Sequence, residues 1–143
     1  MNLHELSPSF VVSSQITEKD ITALVAAGVG TIINNRPDGE IWGQPTSAAL
    51  EVAAIAAGMK YFYIPVRPGE MGPAHIAEIK AVQAETIGKI LGFCRTGTRS
   101  ANLWALAQAG TMPADEIIAA GTKVGYNLEG LRPHLVEPSS PLI

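Results

Sequence analysis

Between residues 92 and 104 the chain reads GFCRTGTRSANLW, and its only cysteine, Cys94, is followed by Gly97, Arg99 and Ser100. Residues of these types at these intervals could carry out nucleophilic chemistry on an oxyanion. A cysteine thiolate forms covalent intermediates readily. An arginine offers a planar fork of donors that two oxygens of a phosphate or sulfate can accept together. Gly97 can take a positive φ and so lets the loop curl around a small anion, a conformation that costs a residue with a Cβ. The backbone N–H groups of Arg95, Thr96, Gly97 and Thr98 would then turn inward at a helix N-terminus, whose dipole adds partial positive charge and favours the thiolate form. Ser100 is expected, from adjacency alone, to hydrogen-bond the sulfur and ease its departure from an intermediate. A lone cysteine is often only a core filler, but a filler needs no glycine, arginine and serine in this order.

Such a site requires a strand to deliver Cys94 and a helix to open beside Arg99. The apolar run KILGF (89–93) is the expected strand, and SANLWALAQAG (100–110), with helical spacing of apolar residues and a closing glycine, is the helix. In an open α/β sheet that junction is where ligand crevices form. The rest of the chain repeats the alternation. SFVVSS (9–14), VGTIINNR (29–36) and KYFYIPV (60–66) read as strands. Helices are expected from Thr17 to about Ala27, from about Pro45 to Gly58, from Pro73 to Thr86 and from 113 to 125, with a short helix and an extended end in the tail. The pattern predicts an α/β protein of three layers, a central, mostly parallel sheet of four to five strands flanked by helices, in one domain over residues 1–143.

The turns at the carboxyl ends of these strands supply further candidates. A general acid for a departing alkoxide would come from Glu70 in the loop RPGEMGP, or from Asp38 or Glu40 in the turn RPDGE. Arg36 and Arg67 stand at equivalent strand ends, where they would widen a positive rim for substrate or pair with those acids. Trp42 could stack on a substrate ring or cover the sheet edge. His4, His75 and His134 are isolated, and Trp104 and Leu106 have core spacing.

Totals exclude several classes. A net charge of −3 with ten dispersed Lys and Arg gives no basis for binding nucleic acid or an anionic membrane. Apolar runs fall short of a bilayer span and the start MNLHELSPS lacks signal-peptide character, so a cytoplasmic location is expected. One cysteine forms no internal disulfide, three scattered histidines make no metal cluster, and no cofactor is called for.

At these residues CRTGTRS resembles the phosphate-binding loop of cysteine-dependent protein tyrosine and dual-specificity phosphatases. LSPSFVVSSQITEKDITALVAAGVGTIINNRPDGE is similar to the opening of dual-specificity-like domains. More closely, RPDGE, GQP, AAGMKYFYIPV and FCRTGTRSANLWA together resemble a small bacterial phosphatase-like family, also found attached to beta-lactamase-like hydrolase domains. The resemblance implies a cysteine-dependent phosphatase-like fold and hydrolysis of phosphoproteins or small aryl phosphates through a thiophosphoryl-cysteine intermediate, with Cys94, Arg99 and Ser100 in the reaction and residues 95–98 around the substrate; Arg36 is a candidate substrate contact from its strand-end position. This sequence departs from the wider pattern in three ways: four residues rather than five separate Cys94 from Arg99, Phe93 stands where a histidine is usual, and no aspartate follows the third strand. A rhodanese-like sulfurtransferase with a persulfide on Cys94 is therefore the named alternative, and a non-catalytic oxyanion-binding module is a third reading. Oligomeric state is open.

Overall fold

A computed structural model describes residues 1–138 of the chain. It contains five strands, β1 (His4–Ser7), β2 (Phe10–Ser13), β3 (Val29–Asn34), β4 (Lys60–Tyr63) and β5 (Lys89–Phe93), in the order β1-β2-β5-β3-β4. β2, β5, β3 and β4 run parallel, while β1 folds back antiparallel on β2. Five α-helices connect them: α1 (Ile21–Ala26), α2 (Ser47–Ala56), α3 (Pro73–Glu85), α4 (Thr98–Gln108) and α5 (Ala114–Lys123). No helix of the described residues is long and apolar enough to cross a membrane.

The sheet is covered on both faces, which explains why its strands read as unbroken apolar runs. Successive strand residues point to opposite sides. Val11, Ile32 and Leu91 thus pack with Leu24 of α1 and Leu50 of α2, while Val12, Ile33 and Ile90 pack with Ile79 of α3, Trp104 of α4 and Ile117 of α5. These two cores make the three-layer α/β architecture expected from the sequence. β5 lies at the centre of the sheet, and Gly92 within it has a packing reason: a Cβ there would meet the Phe10 ring at 3.2 Å and the Ser100 Cβ at 3.4 Å. Its absence lets α4 lie close against the strand that leads into it.

The structure departs from the sequence-based boundaries at instructive places. β1 was not anticipated, because HELS has little apolar alternation; the turn Ser7-Pro8-Ser9 closes it, with Ser9 N donating to Ser7 Oγ at 3.3 Å. The strand expected over 60–66 ends as regular structure at Tyr63, although Ile64 N and Val66 N still donate to Asn34 O and Asn35 O at 2.9 and 3.0 Å. The helix expected from Thr17 opens as a 3₁₀ turn (Glu18–Asp20) before α1, and the tail helix is a 3₁₀ segment (Glu129–His134). The end of the expected extended tail, residues 139–143, lies outside the described residues. Helix α4 begins at Thr98, two residues before the expected Ser100, because Gly97 at φ 90° already turns the chain into the helix.

Candidate active site

Cys94 follows β5 directly, and Thr98 opens α4, so only residues 94–97 make the turn between them. The thiol is 1% exposed and lies at the floor of this turn. Gly97 N donates to Cys94 Sγ at 3.1 Å, which aims one backbone donor of the curl at the sulfur. The loop is braced from outside: Tyr126 Oη donates to Thr96 O at 3.1 Å and Gln15 N to Arg95 O at 3.3 Å. His4 of β1 stacks edge-on against the Tyr126 ring at 5.5 Å, tying the edge hairpin to the brace. Burial, and then the nearby Cys94 charge, raise the pKa of the Tyr126 hydroxyl.

Gly97 is doubly constrained. Its φ of 90° is left-handed, and a Cβ there would run into the Tyr126 hydroxyl and approach Ser13 O to 3.2 Å. Gly97→Ala is therefore expected to destabilise the fold by about 1–2 kcal/mol from backbone conformation alone, and more from the collision. A denaturant midpoint unchanged from wild type would contradict this account of the turn.

Arg99, on the first turn of α4, reaches back over the loop. Its Nη1 donates to Glu40 Oε2 at 2.8 Å and to Val66 O at 2.9 Å, and its Nη2 donates to Glu40 Oε1 at 2.9 Å. Five N–H bonds radiate from a guanidinium, and these contacts take three. The remaining Nε–H and second Nη2–H share one edge, and the Cys94 sulfur, whose charge and hydrogen bond help to raise the Arg99 pKa after the hydrogen bond to Glu40, is close to the guanidinium. That edge is a ready fork for two oxygens of an anion beside Cys94. Glu40 thus fixes Arg99 by its far end and leaves its near edge free of Glu40.

Glu40 is held from a second direction, with Arg36 Nε donating to Oε1 at 2.8 Å. The hydrogen bond from Arg99 and then that from Arg36 outweigh partial burial and lower the Glu40 pKa from 4.5 to about 2; the same carboxylate raises the pKa of Arg99. Because the folded value lies below the unfolded one, the ionised carboxylate contributes stability in full above about pH 4.5 and loses it as the pH falls towards about 2. The stability gap between wild type and Glu40→Gln, read by chemical denaturation, is expected to close over that interval. A gap independent of pH would overturn it.

The remaining candidates fall in different places. Ser100 is buried, and its hydroxyl donates to Asn35 Oδ1 at 2.8 Å rather than to the sulfur. Asn35 in turn donates through Nδ2 to Ile64 O at 2.9 Å and through its backbone N to Phe93 O at 2.9 Å, so one residue ties α4 to the ends of three strands. Asp38 accepts from Ser47 N at 2.8 Å, at the start of α2. Asp38, Arg67, Glu70 and His75 line a neighbouring cleft of about 360 Å³, whereas the cleft of about 300 Å³ at Arg99 is lined by Arg36, Glu40, Ile41, Pro68 and Arg95. Among those lining residues Glu40 is the one carboxylate. Arg95 and Thr96 on the loop and Thr98 at the start of α4 are exposed, and the Thr96 and Thr98 hydroxyls lie 3.0 Å apart. Trp42 is fully exposed, so it does not cover the sheet edge, and Trp104 is in the core. Among the described residues no group of three or more His, Cys, Asp and Glu is placed to hold a metal.

Asn35, Gln15 and Tyr126 were not anticipated. Asn35 adjoins the sequence-marked Arg36, and the polar pair Asn34-Asn35 at the end of an apolar strand was the available signal. Tyr126 lies 29 residues beyond Gly97 in the chain and gave none.

A cysteine turn carried at the centre of a mostly parallel sheet with helices on both faces is the fold of a phosphatase-like domain. Kinase associated phosphatase, crystallised with its catalytic site cysteine replaced by serine, shares the fold at a TM-score of 0.71 with 15% identity, covering 87% of this chain and 81% of its own. Residues 2–111 match the profile of the phosphatase-like domain of beta-lactamase hydrolase-like protein, and the chain belongs to that family. A Neisseria meningitidis protein described as a phosphatase is 33% identical, with a TM-score of 0.82 over 94% of this chain and 96% of that one. The beta-lactamase hydrolase-like protein of Xylella fastidiosa is 33% identical over 130 residues, which are 90% of this chain and 30% of the relative. The chain thus spans about a third of the length of that relative.

Proposed function

We propose that the protein hydrolyses phosphomonoesters through a thiophosphoryl intermediate on Cys94, acting on phosphorylated protein or small aryl phosphates. The observation that carries the reading is Arg99, fixed by Glu40 and close enough to the Cys94 sulfur to interact with it, in a turn whose Gly97 N–H also points to that sulfur. The Cys94 thiolate attacks phosphorus and forms the S–P bond while the ester oxygen leaves with its electron pair. Water then attacks the same phosphorus, the S–P bond breaks, the thiolate is restored and orthophosphate departs. Arg99 and the loop amides stabilise the charge on the non-bridging oxygens through both steps. Asp38 and Glu70 would reach the leaving group only across from the adjoining cleft, and Glu40 is ionised down to about pH 2, so it has no proton to give at neutral pH. Leaving groups that depart unprotonated should therefore be favoured. An aryl phosphate is expected to turn over at least about 10²-fold faster than an alkyl phosphate, the range a general acid would supply; equal rates would contradict this reading.

The same observation favours a second reading. Thiosulfate needs no proton at its leaving group: the Cys94 thiolate attacks the sulfane sulfur, the S–S bond of thiosulfate breaks, sulfite leaves with the electron pair, and Cys94 keeps a persulfide. The four-residue span from Cys94 to Arg99 also makes a tight cradle. Parallel assays with an aryl phosphate and with thiosulfate plus a thiol acceptor separate the two, since turnover of thiosulfate alone would replace the first reading with the second. Binding of oxyanions without turnover of either would leave the third reading, a non-catalytic module.

A further inference from the structure

Arg36 carries a donor that the protein leaves idle at a depth where idleness is costly. Its side chain is 3% exposed, Nε donates to Glu40 Oε1 at 2.8 Å and Nη1 to Gln15 Oε1 at 3.0 Å, while Nη2 is buried with no partner. A buried donor left unpaired costs about 1–3 kcal/mol, and in a native fold it asks for an explanation. In a guanidinium Nε and Nη2 share an edge, so the idle donor lies beside the one that meets Glu40.

The number of oxygens supplies the explanation. Arg36 and Arg99 turn four donors towards one place, and Glu40 fills it with two oxygens: Oε1 accepts from Arg36 Nε and Arg99 Nη2, and Oε2 from Arg99 Nη1. A phosphate monoester has three terminal oxygens and would engage Arg36 Nη2 as well. It would also bring two negative charges to two arginines where the carboxylate brings one, with Arg95 on the same open cleft. We propose that the space between Arg36 and Arg99 is a second oxyanion subsite, occupied by the Glu40 carboxylate in the free protein, and that the preferred substrates are bisphosphates whose second phosphate displaces it.

The spacing follows from Arg99, which serves both places. Its near edge faces the cradle over Cys94 and its end faces the subsite, so the two phosphates sit on adjacent edges of one guanidinium. Phosphorus atoms so placed are farther apart than in a pyrophosphate and suit a two-carbon spacer. The substrate class is therefore a vicinal bisphosphate. This inference rests on the reading of the Cys94 turn as an oxyanion cradle.

Binding tests it without turnover, using the full chain with Cys94→Ser and calorimetric titration of ethane-1,2-diol bisphosphate against ethyl phosphate. The bisphosphate is expected to bind at least tenfold more tightly. Arg36→Met should bring that ratio near one, whereas Arg67→Gln, which removes the same charge from the adjoining cleft, should leave the ratio high. Equal affinities for the two ligands, or a ratio that Arg36→Met does not lower, would overturn the subsite while leaving the cradle intact. Binding of neither ligand would reject the cradle and the subsite with it. If Arg36→Met does not fold, Glu40→Gln decides: removing the resident charge raises the ratio if the subsite exists and leaves it unchanged if it does not.

Discussion

Cys94→Ser is expected to abolish turnover of aryl phosphate and of thiosulfate alike, with a loss of about 10³-fold or more in kcat, while stability stays within about 1 kcal/mol of wild type. The reason lies in the division of labour within the turn. Gly97 N would still find an acceptor in the serine hydroxyl, Asn35 would still hold Ser100, and Arg99 would still be fixed by Glu40 and Val66 O, so the cradle survives without its nucleophile. A serine hydroxyl has no base within the cradle to activate it, and its oxygen is intrinsically a far weaker nucleophile than cysteine sulfur. The variant should consequently bind oxyanions and process none. Activity retained in Cys94→Ser would show that the sulfur does not form the bond, and a variant that also loses oxyanion binding would show that the sulfur holds the turn together.

The second large effect is expected at Arg99. Arg99→Lys keeps one positive charge but cannot serve two anions on two edges: an ammonium has three donors and no fixed plane. Glu40 and Val66 O take three donations from Arg99 in the free protein, and a lysine that satisfied them would have nothing left for substrate. The expected loss in kcat/KM is about 10²- to 10³-fold, the range seen when one oxyanion donor is removed. Most of it should appear in kcat, because the charge on the transferring group grows towards the transition state. The loss should persist when substrate is saturating. A change confined to KM would mean that Arg99 only gathers substrate and does not stabilise the reacting centre.

Much of this arrangement was legible in the sequence because it is local. Cys94, Gly97 and Arg99 lie close together in the chain, and the strand-then-helix periodicity around them marks the junction where Gly97 N meets the sulfur. The layers were legible for a similar reason, since pairs such as Val11-Val12 and Ile32-Ile33 mark strands buried on both faces. What stayed hidden depends on side chains that meet only after folding. Glu40 was one of three interchangeable loop carboxylates by spacing, and only the approach of the turn after β3 to α4 sets it between Arg36 and Arg99 while Asp38 meets Ser47 at the start of α2. Tyr126 bracing Thr96, and β1 delivering His4 to Tyr126, join parts of the chain too far apart for periodicity to relate. Ser100 illustrates the limit of adjacency: one residue from Arg99 in sequence, its hydroxyl faces Asn35, because helix α4 rotates successive side chains by about 100°.

In the proposed reaction the Cys94 sulfur forms a bond to the phosphorus of substrate. Mixing the protein with an aryl phosphate, stopping the reaction in acid within one turnover and mapping the modified peptide by mass spectrometry tests it most directly. A single phosphoryl group on the peptide containing Cys94, absent when Arg99→Lys is treated in the same way, is the predicted result. Aryl phosphate hydrolysis that proceeds with Cys94 unmodified, or with the phosphoryl group on another residue, would contradict the account.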